Sequence, residues 1–218
     1  QIVIRSFVTG SPGIPKYGVG QLSQALASRI TELKLNVRAE RIAGNRVQTS
    51  AGVFEARDIM IATDATTATQ LLELGEVSRM QGCVTWYHAS DNNPSGTGRL
   101  LIDGQNRGSV MNSLVISDIS SAYAPTGMNL ISSTTELGTT DSEVRRHLST
   151  MWGVETRDWQ LIAKYEIPSA LPLHHVGKEL TQPTKISDHL YLAGDHRTVP
   201  SQQGALFSGS LAAQLILN

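Results

Sequence analysis

The sequence predicts an α/β fold with an α+β stretch in its middle. Two short apolar runs, Asp58-Ile59-Met60-Ile61-Ala62 and Leu190-Tyr191-Leu192-Ala193, read as buried parallel strands. Each ends in a polar turn: Thr63-Asp64, which caps a helix, and Gly194-Asp195, which is followed by a loop and then a helix. Between them, residues 82–133 carry strand-like runs separated by clusters of Asp, Asn, Pro and Gly. An α/β pattern that gives way to antiparallel strands and then resumes is the pattern of one domain inserted into another.

The composition suits this class. The chain has 218 residues, 40% of them hydrophobic and 17% charged, so it can bury a core. Eighteen Lys and Arg against nineteen Asp and Glu leave a formal charge of −1. That balance argues against a nucleic-acid or membrane-surface partner, which needs a basic excess. No run reaches the roughly 20 apolar residues of a membrane span. The single cysteine, Cys83, excludes an intrachain disulfide and reads as a small packed hydrophobe. The start, Gln1-Ile2-Val3-Ile4, has no Met and no basic-then-apolar signal segment. It reads as the opening of an excised piece, and a cytoplasmic location is the expectation.

Ile2 to Val8 reads as a strand or a short buried segment and Ser11 to Pro15 as a turn. Leu22, Leu26, Ile30 and Leu33 recur at helical spacing and predict a helix over Gln21–Leu33. Residues 36–56 change to period two, broken at Gly44-Asn45 and Ser50-Ala51-Gly52, and predict a three-stranded antiparallel flap. Thr63-Asp64 caps a helix over Ala65–Leu74. Strands are expected at Gly82–Ala89, Gly98–Ile102, Val110–Ser117 and Gly127–Ser133. Asp141 is expected to cap a helix ending near Trp152, and Arg157–Ile167 is an extended stretch closed by Pro168. The last helix runs from about Ser201 to Leu217.

The chemistry-bearing residues cluster near the end. Gly194-Asp195 falls at the carboxyl end of a strand, where open α/β sheets bind ligands. A glycine there lets its backbone N–H approach a phosphate, and Asp195 can accept from a sugar hydroxyl. Gln203-Gly204-Ala205 opens the last helix with small side chains. Its first-turn amides carry roughly half a positive charge and suit an anion. The six histidines show no metal-binding spacing, and His174-His175 face opposite sides of a strand. Trp86-Tyr87-His88 and Tyr165 lie on predicted strands of the middle region, where sheet packing accounts for them.

These residues resemble the cofactor motif of the flavin-containing amine oxidase superfamily, which includes protoporphyrinogen oxidases and phytoene-desaturase-like enzymes. The motif stands here as Leu192-Ala193-Gly194-Asp195, then Gly204-Ala205-Leu206, Ser208-Gly209 and Ala212-Ala213. Pro15 to Leu26, the segment around Val37, and Asp58 to Asp64 resemble further parts of the family's FAD-binding domain. The resemblance implies a partial FAD-binding Rossmann-like domain, 15–75 and 185–218, with an antiparallel-sheet substrate domain, 1–14 and 76–184. It implies FAD contacts at Val37, Ala62, Gly194, Asp195, Gln203, Gly204 and Ala205, and aromatic residues at a small-molecule pocket.

The family's GxGxxG fingerprint after an N-terminal strand is absent, because Gly18-Val19-Gly20 has Ser23 at the third glycine position and follows a turn, not a strand. The expectation is therefore the C-terminal part of an FAD-dependent oxidoreductase that takes hydride from a substrate C–H or C–N bond. Its N-terminal half would be the missing partner, and this chain alone would lack most of the FAD and be inactive. Apolar surface would be exposed where that half belongs, or be covered by self-association. The alternative is a non-catalytic binding protein that keeps the fold without the cofactor.

Overall fold

The computed structural model describes residues 13–73, 79–173, 177 and 179–218. The expected strand Ile2–Val8 and the pair His174-His175 lie outside the described residues. In chain order the first elements are α1 (Gly20–Ala27), β1 (Ala39–Ala43), β2 (Arg46–Thr49), β3 (Gly52–Glu55), β4 (Ile59–Ile61) and α2 (Ala65–Leu71). The middle holds β5 (Met80–Ser90), β6 (Leu101–Ile102), β7 (Val110–Val115), β8 (Asn129–Thr135), α3 (Asp141–Trp152) and β9 (Gln160–Pro172). The chain ends with β10 (Lys185–Ser187), β11 (Leu190–Leu192) and α4 (Gln202–Leu217).

Two compact units emerge. One comprises Lys34–Gly82 and Pro168–Asn218; the other comprises the described residues up to Leu33 together with Cys83–Ile167. The first unit is α/β and the second is built on an antiparallel sheet, with boundaries that differ from those expected at three places. Residues 15–33 group with the antiparallel sheet, and the described residues of 76–82 and of 168–184 group with the α/β unit. The first difference has a visible anchor. Tyr123 donates its hydroxyl to the Pro15 carbonyl at 2.5 Å, and Ser120 Oγ lies 3.5 Å from the Lys16 carbonyl.

In the α/β unit, β1, β2 and β3 form the expected antiparallel flap, with Val47 opposite Ile42 and Phe54. Gly44, at φ 59°, makes the first turn. A second sheet has the order β10-β11-β4, and β11 runs parallel to β4 with Leu192 opposite Ile61. Ile61, Ala68, Leu71 and Leu192 form the core, joined by Ala39 and Ile42 from the flap. β11 is buried on both faces, at Tyr191 and Leu192, whereas β4 buries Ile59 and Ile61 on one face and leaves Met60 exposed on the other.

In the other unit, five strands take the order β6-β7-β8-β5-β9. Alternation sorts their side chains. Val84, Trp86 and His88 share a buried face with Val115, Ile131, Ser133 and Thr135. Helix α3 supplies Val144, His147 and Leu148 to that unit's core. Thr140, rather than Asp141, caps α3, in a capping box with Glu143. Asp141 instead uses both carboxylate oxygens on side chains, one 2.9 Å from His88 Nε2 and one accepting from Arg145 Nε at 2.6 Å.

His88 is fully buried, and burial lowers its pKa against the opposing pull of Asp141. The folded ring stays neutral at pH values where the unfolded one, with a pKa of about 6.5, takes up a proton. The unfolded state then binds more protons, so stability falls as pH drops below about 6.5 towards the lowered folded value. The urea midpoint is expected to decline between about pH 7 and pH 5.5, and less steeply in His88→Gln.

Two elements depart from the sequence reading. Helix α1 ends at Ala27 instead of Leu33, with Ser28 Oγ donating to the Ala25 carbonyl at 2.9 Å. No residue of α1 is buried, and Leu22, Leu26, Ile30 and Leu33 are all exposed. A stripe that buries none of its residues against the described ones gives a helix little reason to propagate. Strand β9 runs through Pro168 to Pro172. It is last in its sheet order, where a residue without an N–H is tolerated.

Candidate functional site

Pairing sets β4 and β11 side by side in register, Leu190 to Ile59, Tyr191 to Met60 and Leu192 to Ile61. One more bond, from the Ala193 N–H to the Ile61 carbonyl at 2.8 Å, carries the register past the last strand residue. The segments Ala62-Thr63-Asp64 and Ala193-Gly194-Asp195 therefore leave the sheet together, at the carboxyl ends of parallel strands. Ala62 is exposed, and the Thr63 carbonyl faces Gly194.

Asp64 turns back into its own helix. Its carboxylate accepts from the amides of Thr66 and Thr67 at 3.0 Å and from the Thr67 hydroxyl at 2.6 Å. The Thr67 hydroxyl, followed by the Thr67 amide, holds the Asp64 carboxyl below the usual range.

Gly194 has φ 152°, a backbone state that favours glycine. A Cβ there would lie 2.5 Å from the His196 ring and 3.4 Å from the Thr63 carbonyl oxygen. Its N–H donates to Ser208 Oγ at 2.8 Å, and the buried Ser208 hydroxyl donates in turn to the Ala205 carbonyl at 2.9 Å. Asp195–Arg197 then forms a 3-10 turn, closed by Arg197 N–H to the Gly194 carbonyl at 3.1 Å.

Ser201 caps α4. Its Oγ accepts from the Gly204 amide at 3.0 Å, and its carbonyl accepts from the Ala205 amide at 2.9 Å. A Cβ on Gly204 would lie 1.9 Å from the Val199 carbonyl oxygen and 2.7 Å from Thr198 Oγ1. Gly204, Ser208 and Ala212 form the buried stripe of this helix.

These bonds correct one part of the sequence reading. The amides of Gly194, Gly204 and Ala205 are committed within the chain, so none of the three points free at a ligand. The small residues let loop and helix pack closely instead. Among the described residues, the first-turn amides of Gln202 and Gln203 have no acceptor, and the Asp195 carboxylate has no hydrogen-bond donor. Val37 is half-buried in the loop before β1, and its neighbour Arg38 is pinned to Ser50 in both directions, at 3.0 Å and 2.9 Å. It belongs to the same unit as the other six residues; no hydrogen bond joins it to them among the described residues.

Trp86 and His88 belong to the buried face of the five-stranded sheet. The Trp86 indole donates to Thr135 Oγ1 at 2.9 Å. Tyr87 points to the opposite face, where it meets Tyr165 edge-on with ring centres 6.0 Å apart.

The family model for flavin containing amine oxidoreductase matches residues 3–217. The chain belongs to that family. Solved structures agree on the fold. A proposed protoporphyrinogen oxidase from Exiguobacterium sp. 255-15 superposes with a TM-score of 0.69 and 16% identity, covering 92% of this chain and 51% of that one. A reduced UDP-galactopyranose mutase gives 0.69 and 15%, over 94% and 52% of the two chains. An iminodiacetate oxidase from Chelativorans sp. BNC1 gives 0.55 and 16%, over 92% and 55%. The chain spans about half the length of these solved relatives. No match is found among curated proteins.

Measured against a flavin-containing family, the open groups at the two strand ends suit an oxygen-rich dinucleotide. The Asp195 carboxylate can accept and the Gln202 and Gln203 amides can donate. Buried polar atoms of His196, Arg197 and Thr198 lack partners among the described residues. Sequence reasoning named neither Ser208 nor Ser201 for the bonds they make. The Ser208-Gly209 step of the motif was the available signal for the first, and a serine just before a helical run for the second.

Proposed function

We propose that this chain is the C-terminal portion of an FAD-dependent, amine-oxidase-like oxidoreductase acting on a small molecule. The observation that carries the reading is the paired exit of Ala62-Thr63-Asp64 and Ala193-Gly194-Asp195 from parallel strands, with Asp195 left open to accept. FAD, when bound, supplies the two-electron acceptor for hydride from a substrate C–H or C–N bond. Asp195 accepts a hydroxyl of the cofactor's sugar portion. Val37 and Ala62 border it with backbone and small side chains. The N-terminus of α4 at Gln203 brings amide donors and a partial positive charge to where electron density rises. Gly194, Gly204 and Ala205 keep the loop and helix thin enough for close approach. The dinucleotide fingerprint, missing here, is supplied by an N-terminal half of the same protein. That half, or a second copy of this chain, covers the exposed apolar side chains of the helix α1 region.

Flavin titration tests this. In the intact protein, Asp195→Ala is expected to weaken FAD binding roughly ten- to a hundredfold, the loss of one hydrogen bond to a charged group. Quenching of flavin fluorescence reads the affinity directly. Unchanged affinity in the variant removes Asp195 from the site. A wild-type protein that neither carries nor takes up FAD favours a non-catalytic protein that keeps only the fold.

A further inference from the structure

The turn that carries Asp195 is closed by its own main chain. The Gly194 carbonyl accepts from Arg197 N–H at 3.1 Å, and the Asp195 carbonyl accepts from Thr198 N–H at 3.2 Å. The Gly194 N–H reaches outside the turn and donates to Ser208 Oγ of α4 at 2.8 Å. Among the described residues this is the one hydrogen bond between the turn 194–198 and α4.

A hydroxyl at position 208 needs a reason. Ser208 is fully buried, on the stripe it shares with Gly204 and Ala212. Alanine would fill the same place and favours a helix more strongly. The Ser208 hydroxyl works in two directions instead. It donates to the Ala205 carbonyl of its own helix at 2.9 Å, which leaves its lone pairs for the Gly194 N–H. Gly204 lying against Val199 and Thr198 sets how near the loop and helix come, and the hydroxyl sets how the Gly194 peptide is turned.

That orientation matters for the residue that follows. Gly194, at φ 152°, imposes little restraint of its own. A peptide turned there swings the Asp195 carboxylate with it. The first-turn amides of Gln202 and Gln203 belong to the same helix as Ser208. One buried hydroxyl therefore sets the open acceptor, Asp195, in register with the open donors at the start of α4.

We propose that Ser208 is a positioning residue of the flavin site, its hydroxyl fixing the Gly194 peptide and so aiming the Asp195 carboxylate relative to the first turn of α4. This role rests on the flavin reading above and extends it to a side chain buried out of reach of the ligand. Ser208 touches neither cofactor nor substrate and acts through Asp195.

A double-mutant cycle in the intact protein separates positioning from support of the fold. Ser208→Ala, Asp195→Ala and the double variant are titrated with FAD, and the thermal midpoint of each is measured without flavin. Ser208→Ala is expected to weaken FAD binding roughly tenfold, yet by less than about twofold once Asp195 is already alanine. The midpoint is expected to fall equally in both backgrounds, because the Gly194 N–H loses its acceptor in each. FAD affinity unchanged by Ser208→Ala overturns the proposal and leaves Asp195 in the site. A tenfold loss repeated in the Asp195→Ala background also overturns it, since Ser208 then acts on the fold at large. Should Ser208→Ala fail to fold, Ser208→Cys, which keeps a small side chain with a poor acceptor, goes through the same cycle. An Asp195→Ala protein that binds FAD like wild type, or a wild type that binds none, overturns the flavin reading beneath it, and both results differ from the two above.

Discussion

Gly204→Ala is expected to cost about 2–4 kcal/mol of stability, among the largest effects of adding one methyl group anywhere in the chain. The new Cβ would meet the Val199 carbonyl oxygen at 1.9 Å and its carbon at 2.9 Å, and both are main chain. A side chain can swing away from a clash; a carbonyl in a tight turn moves only if the turn moves. The turn here is held by Ser201, whose cap bond to Gly204 N–H would lengthen as the helix is pushed off. Equilibrium urea unfolding of the two proteins measures the difference. Gly209→Ala is the control, since a Cβ there meets nothing within 4 Å and helix interiors favour alanine over glycine by about 1 kcal/mol. A Gly204→Ala protein as stable as wild type would mean that the loop before α4 is looser than its contacts indicate.

Trp86→Ala and Tyr87→Ala are adjacent substitutions with opposite expected outcomes. Trp86 is 1% exposed and donates its indole N–H to Thr135, so its removal opens a large hole against the α3 side of the sheet. The loss is about 3–5 kcal/mol. Tyr87 faces the other way and gives up mainly its edge contact with Tyr165, worth about 0.5–1.5 kcal/mol. Chemical denaturation separates the two. Trp86 is part of the core cluster, whereas Tyr87 is only half-buried. Equal losses at both positions would contradict the assignment of faces.

Much of this fold is legible in the residues themselves. The flap between 36 and 56 follows from period two and glycine turns. β4 and β11 follow from short apolar runs, and the helices after them from a capping residue before each, Asp64 directly after β4 and Ser201 beyond a loop after β11. The misses have physical reasons. α1 is shorter than its leucine spacing suggests because the spacing reports what a helix could bury, and among the described residues that stripe stays exposed. Thr140 displaces Asp141 as the cap because Glu143 completes a reciprocal pair with it, while His88 and Arg145 claim the aspartate. β10 is three exposed residues paired with β11, which no local pattern announces. The site divides in the same way. Asp195 and the start of α4 could be read from the motif. The commitment of the Gly194 amide could not, because its acceptor, Ser208, stands fourteen positions further on and meets it only after α4 folds back.

The two strands end alike, in alanine, one intervening residue and an aspartate, yet the two acids have different employment. Asp64 is consumed at home, its carboxylate saturated by three donors from its own helix. Asp195 is followed by a tight 3-10 turn, and the helix beyond it has a serine to do its capping. With Ser201 taking that duty, the second carboxylate has no donor among the described residues, so under the proposed flavin reading exchanging the hydroxyl and the acid between these neighbours is expected to abolish flavin binding while leaving the fold in place.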